Sequence, residues 1–105
     1  MALGDKMYKN QQYFVAIEYY KKAIKNKEQK GKATFNVAEC YRLMNDYKQA
    51  ESWYGRAEKA GYKEPVLYAQ HAFVLRALDR FDEASDQYAL HAEAVPDDAR
   101  VKMVS

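Results

Sequence analysis

The chain has 105 residues, 49% of them apolar and 14% aromatic, a formal net charge of +2 and one cysteine. That length gives one domain with enough apolar side chain for a continuous core, and a single cysteine excludes an internal disulfide framework. No stretch approaches roughly 18 consecutive apolar residues, no signal-type segment opens the chain, and so small a positive total is a poor footprint for nucleic acid.

In chain order, Leu3, Gly4 and Met7 lie on one face of a first helix, which Asn10-Gln11 interrupts before a second begins at Tyr13 with Ala16, Tyr20 and Ala23 facing inward. Thr34, Val37, Ala38 and Tyr41 stand at i, i+3, i+4 and i+7 of the next helix. Asn45-Asp46 ends it, and Tyr47 opens a partner with inner face Ala50, Tyr54 and Ala57. Tyr68, His71, Ala72 and Leu75 repeat the first pattern, Leu78-Asp79 repeats the break, and Phe81 opens a last helix facing inward through Ala84 and Tyr88. Ala16, Ala50 and Ala84 are 34 residues apart, as are Tyr20, Tyr54 and Tyr88. A repeat of this period means stacked supersecondary units, none of which can bury its apolar face alone. Small residues at 4, 38 and 72 and at 16, 50 and 84 let paired helices approach closely while the nearby aromatic fills the gap. After Pro96-Asp97-Asp98, residues Ala99 to Ser105 begin a further helix with Asp98 as its N-cap.

Leu3-Gly4-x2-Met7 with Ala16-x3-Tyr20, Val37-Ala38-x2-Tyr41 with Ala50-x3-Tyr54, and His71-Ala72-x2-Leu75 with Ala84-x3-Tyr88 resemble the tetratricopeptide repeat, W-x2-L-G-x2-Y, then A-x3-F, then P. The resemblance covers nearly the whole chain. It implies an all-α, right-handed α-solenoid of three helical hairpins with repeats at about 1–30, 31–64 and 65–98 and the start of a capping helix at 99–105. On this reading the chain is a single domain excised from a longer protein. Three departures stand out: the first copy lacks the opening aromatic, only the third reaches the closing proline, Pro96, and His91 occupies the slot of Ala23 and Ala57. His91 implies that the last helix packs less tightly or on a different neighbour.

Chemistry-bearing constellations are missing. Cys40 sits mid-helix without a second cysteine or an adjacent histidine and reads as a small buried hydrophobe. His71 and His91 lie 20 residues apart on different helices with no carboxylate pair at ligand spacing, so no metal is expected. Neither a glycine-rich phosphate loop nor a Ser/His/Asp order is present, and no enzyme or cofactor is expected.

The outward stripe of each first helix remains. Lys32, Phe35, Glu39 and Arg42 share a face opposite Thr34, Val37, Ala38 and Tyr41; Val66, Ala69, Phe73 and Arg76 occupy the equivalent stripe, and Asp5, Tyr8 and Lys9 begin it. In the family resembled, this stripe lines a concave groove that takes a segment of a partner protein. The implied groove residues are Tyr8, Lys9, Lys32, Phe35, Asn36, Glu39, Arg42, Val66, Ala69, Gln70, Phe73 and Arg76. Phenylalanine flanked by arginine combines burial with charge-assisted bonding, although Phe35 and Phe73 could equally pack on an adjacent repeat. The subtype that grips a chaperone's C-terminal carboxylate fits poorly, because Asp5 and Glu39 place negative charge in the groove.

Residues 1–32 hold eight lysines against Asp5, Glu18 and Glu28, a net of +5, whereas residues 79–105 carry a net of −4. Such a split is a solvated surface or a means of head-to-tail self-association. A narrower likeness runs through Val37 to Tyr47, Trp53-Tyr54 and Ala60 to Pro65: these resemble the N-terminal repeats of envelope proteins with a C-terminal OmpA-like, peptidoglycan-binding domain, including lipoproteins of the type IX secretion machinery. That likeness implies the periplasmic face of a bacterial outer membrane, a cytoplasmic site being the alternative, and a segment of another envelope component as partner. Two other functions are weighed: a structural spacer or self-association module, and a peptidoglycan or carbohydrate surface using Tyr8, Tyr19 and Tyr62 for stacking.

Overall fold

The computed structural model describes residues 1–95, which form six α-helices and no strand: α1 (Ala2–Lys9), α2 (Tyr13–Ala23), α3 (Lys30–Leu43), α4 (Tyr47–Lys59), α5 (Pro65–Ala77) and α6 (Phe81–Ala94). The expected helix at 99–105 lies outside the described residues. Packing follows chain order, each helix lying against the one before it and the one after it.

The three breaks at 34-residue spacing are one local structure repeated. Gln11, Asn45 and Asp79 have φ of 61°, 63° and 62°. In each case this residue's N–H and the next one's turn back onto the helix: Asn45 N bonds Arg42 O and Asp46 N bonds Tyr41 O, both at 2.9 Å, with the same pairings at Gln11/Gln12 and Asp79/Arg80. This is the left-handed C-terminal cap that satisfies the last carbonyls of a helix. The α4 end is closed the same way through Gly61, at φ 89°. Restarts differ in their caps: the Asp46 carboxylate accepts from Gln49 N at 3.3 Å, and α5 begins on Pro65, whose missing N–H has no cost at that position.

Small residues meet aromatic ones inside each pair. Ala16, Ala38, Ala50, Ala72 and Ala84 are buried. At Gly4 a Cβ would come within 2.7 Å of the Tyr20 ring, so the backbone of α1 lies directly on that ring. Tyr20 is covered further by Val37 and Cys40 of α3, and Tyr54 by Phe35, Leu67 and Val74. Tyr88, the third copy of that position, is 41% exposed, because among the described residues no helix follows α6 to cover it.

Candidate functional site

The stripe expected to form a groove is closed at its centre. Phe35, 7% exposed, stacks on Tyr62 with ring centroids 4.9 Å apart and leans on Tyr54 at 5.8 Å. Glu39, 8% exposed, accepts the Tyr54 hydroxyl, and its other oxygen accepts from Arg42 Nη2 at 2.9 Å. Arg42 Nε also donates to the Tyr54 oxygen at 3.2 Å. Burial works against the charge of Arg42, but the bonds to Glu39 and Tyr54 outweigh it and raise its pKa. Burial, with Glu39 beside it, raises the Tyr54 phenol as well. Phe35 and Glu39 are thus a correction to the expected groove, since their side chains are buried in the helix packing, while Arg42, its side chain 20% exposed, is tied to Glu39 and Tyr54 at their edge.

Tyrosine where the resembled signature has phenylalanine explains this arrangement. A hydroxyl in the core needs an acceptor, and the first two repeats supply it 15 residues earlier: Tyr20 donates to Asp5 Oδ1 at 2.7 Å, as Tyr54 does to Glu39. The third copy places Phe73 opposite Tyr88, so no acid is available there. The acids that seemed to spoil the groove are hydrogen-bond partners of the core tyrosines. The signal was in the sequence, as two Asp/Glu–Tyr pairs at equal spacing.

The other expected residues are distributed as follows. Tyr8 is half-buried and meets Tyr13 edge-on at 5.7 Å. Lys9 and Lys32 are exposed, and the half-buried Asn36 amide contacts Met1 Sδ at 3.9 Å. On α5, Ala69 and Gln70 are half-buried, whereas Val66 is 44% and Phe73 47% exposed. The Tyr47 and Phe73 rings meet nearly perpendicular, with centroids 5.9 Å apart. Arg76 is exposed, with no carboxylate within 4 Å among the described residues. Leu67, His71, Ala72, Val74 and Leu75 bury the opposite face of α5. Val66, Phe73 and Arg76, at i, i+7 and i+10, are therefore an open apolar stripe ending in a free guanidinium. Leu43, at the end of α3, is also exposed and did not enter the expected set.

Of the tyrosines expected to stack on sugars, Tyr62 has a ring face covered by Phe35, and Tyr19 has Lys22 Nζ over its ring at 5.5 Å. Cys40 is fully buried, and burial, with Glu39 nearby, pushes its thiol up to about 12. His71 is buried, with Nε2 3.4 Å from Glu51 and Nδ1 3.9 Å from Glu58, two carboxylates of α4 that sequence spacing does not connect to it. Arg80 also reaches Glu51, at 3.4 Å.

The chain matches no protein-family model and no curated protein sequence. Among the described residues no helix is long and apolar enough to cross a membrane.

Proposed function

We propose that the chain is a non-catalytic protein-interaction module in which the exposed stripe of α5 receives a segment of a partner protein. The reading rests on one observation: Phe73 stands 47% exposed between Val66 and the unpaired Arg76, on a helix whose other face is fully committed to the core. An aromatic ring beside a guanidinium free to bind a carboxylate or carbonyl is the composition of an interface hot spot. The turn repeated at 34-residue spacing and the chain-order packing support a tetratricopeptide-type right-handed solenoid, in which this stripe lies on the inner wall. By the narrower likeness we read the partner as another component of a bacterial envelope assembly, of the kind scaffolded by the type IX secretion lipoprotein PorE.

The test is the double variant Phe73→Ala/Arg76→Ala. It should keep the native circular dichroism spectrum and melting temperature while partner affinity drops by about 30-fold, the loss expected for one hot-spot pair worth roughly 2 kcal/mol. Unchanged affinity would remove this stripe from the account.

A further inference from the structure

Away from the α5 stripe, the residue that caps α2, the start of α3 and the second half of α4 with its cap border an open cleft of about 390 Å3 lined by Ile24, Lys30, Thr34, Trp53, Arg56, Lys59 and Ala60. Trp53, half-buried, forms its aromatic wall. Arg56 lies over the indole with its guanidinium carbon 4.4 Å from the ring centroid, and Lys21 Nζ is 5.6 Å from the same ring. Lys30 and Lys59 complete a set of four cations on three helices. None of the four has a carboxylate within 4 Å among the described residues, and Glu28, in the turn before α3, forms no ion pair. Arg42 and Arg80 are paired, whereas no lysine among the described residues has a carboxylate within 4 Å; what sets this cleft apart is the gathering of four cations around one indole.

Converging like charges raise one another's energy, and an anion placed among them reverses that sign. The indole, Ile24 and Ala60 add apolar surface that a bare inorganic anion would not use. We infer that this cleft is a second binding site, whose ligand is an acidic polypeptide segment carrying an aliphatic or aromatic residue next to its carboxylates. Nucleic acid is the poorer match for a cleft with an apolar wall in a chain of net charge only +2. No residue is shared with the α5 stripe, so both sites can be filled at once, and this inference stands whether or not Phe73 contacts a partner.

The protein carries its own reporter, because Trp53 is its single tryptophan. The whole chain is titrated with a tryptophan-free octapeptide of alternating glutamate and leucine, and Trp53 emission is followed alongside calorimetry. The expected result is a saturable change whose affinity falls steeply as salt is raised from about 0.05 to 0.5 M. Arg56→Gln/Lys59→Gln should weaken binding at least about tenfold, the loss of a charge-assisted contact, with the helical spectrum retained. Should that pair fail to fold, Lys30→Gln/Lys59→Gln carries the same expectation. No saturable signal, equal binding of a glutamine–leucine peptide, undiminished binding by the folded variants, or tighter binding of a ten-nucleotide single strand would each overturn the inference. So would sedimentation that shows the peptide displacing a second copy of the chain from the cleft.

Discussion

Replacing Tyr54 by phenylalanine removes one oxygen atom and should cost more than any family-average view allows. The resembled signature has phenylalanine at this position, so pattern alone expects a neutral change. The structure says otherwise, because the hydroxyl donates to Glu39, which is 8% exposed and, among the described residues, has Arg42 as its other side-chain partner. Losing a donor to a buried charged acceptor costs roughly 1.5–3 kcal/mol, since water cannot take its place. For a domain of this size that lowers the melting temperature by about 10 °C. Tyr20→Phe is the internal control: it loses the same kind of bond, at 2.7 Å, but Asp5 is exposed and can be rehydrated. Its cost should stay below about 1 kcal/mol. Urea unfolding followed by far-ultraviolet circular dichroism gives both values, with equal slopes in denaturant for the comparison to hold. A Tyr54→Phe variant as stable as the parent, or no more damaged than Tyr20→Phe, would refute the argument that the Glu39–Arg42–Tyr54 cluster closes the stripe.

Other outcomes follow from the same packing. Gly4→Ala should destabilise by about 1–2 kcal/mol, because its Cβ would meet the buried Tyr20 ring at 2.7 Å, whereas Gly55→Ala, with nothing within 4 Å, should stabilise by about 0.5–1 kcal/mol; thermal melts of the two separate steric from propensity effects. Gln11→Gly should stabilise by about 1 kcal/mol in urea unfolding, since Gln11 holds φ at 61°; Asn45→Gly should give less, because asparagine tolerates that region and its side chain accepts from Tyr47. The Cys40 thiol, raised by burial to about 12, should resist alkylation in the native state. Its folded pKa lies above the unfolded one, so its contribution to stability is complete at neutral pH and is lost as pH climbs from about 8.5, the free-thiol value, toward 12. Alkylation kinetics at pH 8 with and without urea check this, and fast labelling of the folded chain would count against it.

Much of the fold was legible because it repeats. The helix starts at Tyr13, Tyr47 and Phe81 and the breaks at 10–11, 45–46 and 78–79 follow from local signals that recur every 34 residues and reinforce one another. The site was less legible, for a physical reason. Helical periodicity tells which residues share a face, but it does not tell what an adjacent helix lays over that face. Periodicity places Phe35 opposite Val37, but it does not show that Tyr62, from the loop before α5, stacks on it or that it shares a core cluster with Ala38. One repeat later the register of Phe35 is held by Ala69 and that of Glu39 by Phe73, which stands 47% exposed. The Glu39–Tyr54 bond was legible in principle, as the demand of a core tyrosine for an acceptor. The Trp53 cleft was not, since its cations come from three helices whose relative placement periodicity leaves open.

The central claim is that the partner meets α5 at Phe73. The most direct measurement places a photo-cross-linking residue at 73 and, in a second variant, at Ser52, an exposed position on α4. After irradiation in cells that make the protein, the account predicts one dominant cross-linked protein from position 73, little or none from position 52, and loss of that product when Arg76→Ala is added. Equal labelling from both positions, or a product indifferent to Arg76→Ala, would contradict it.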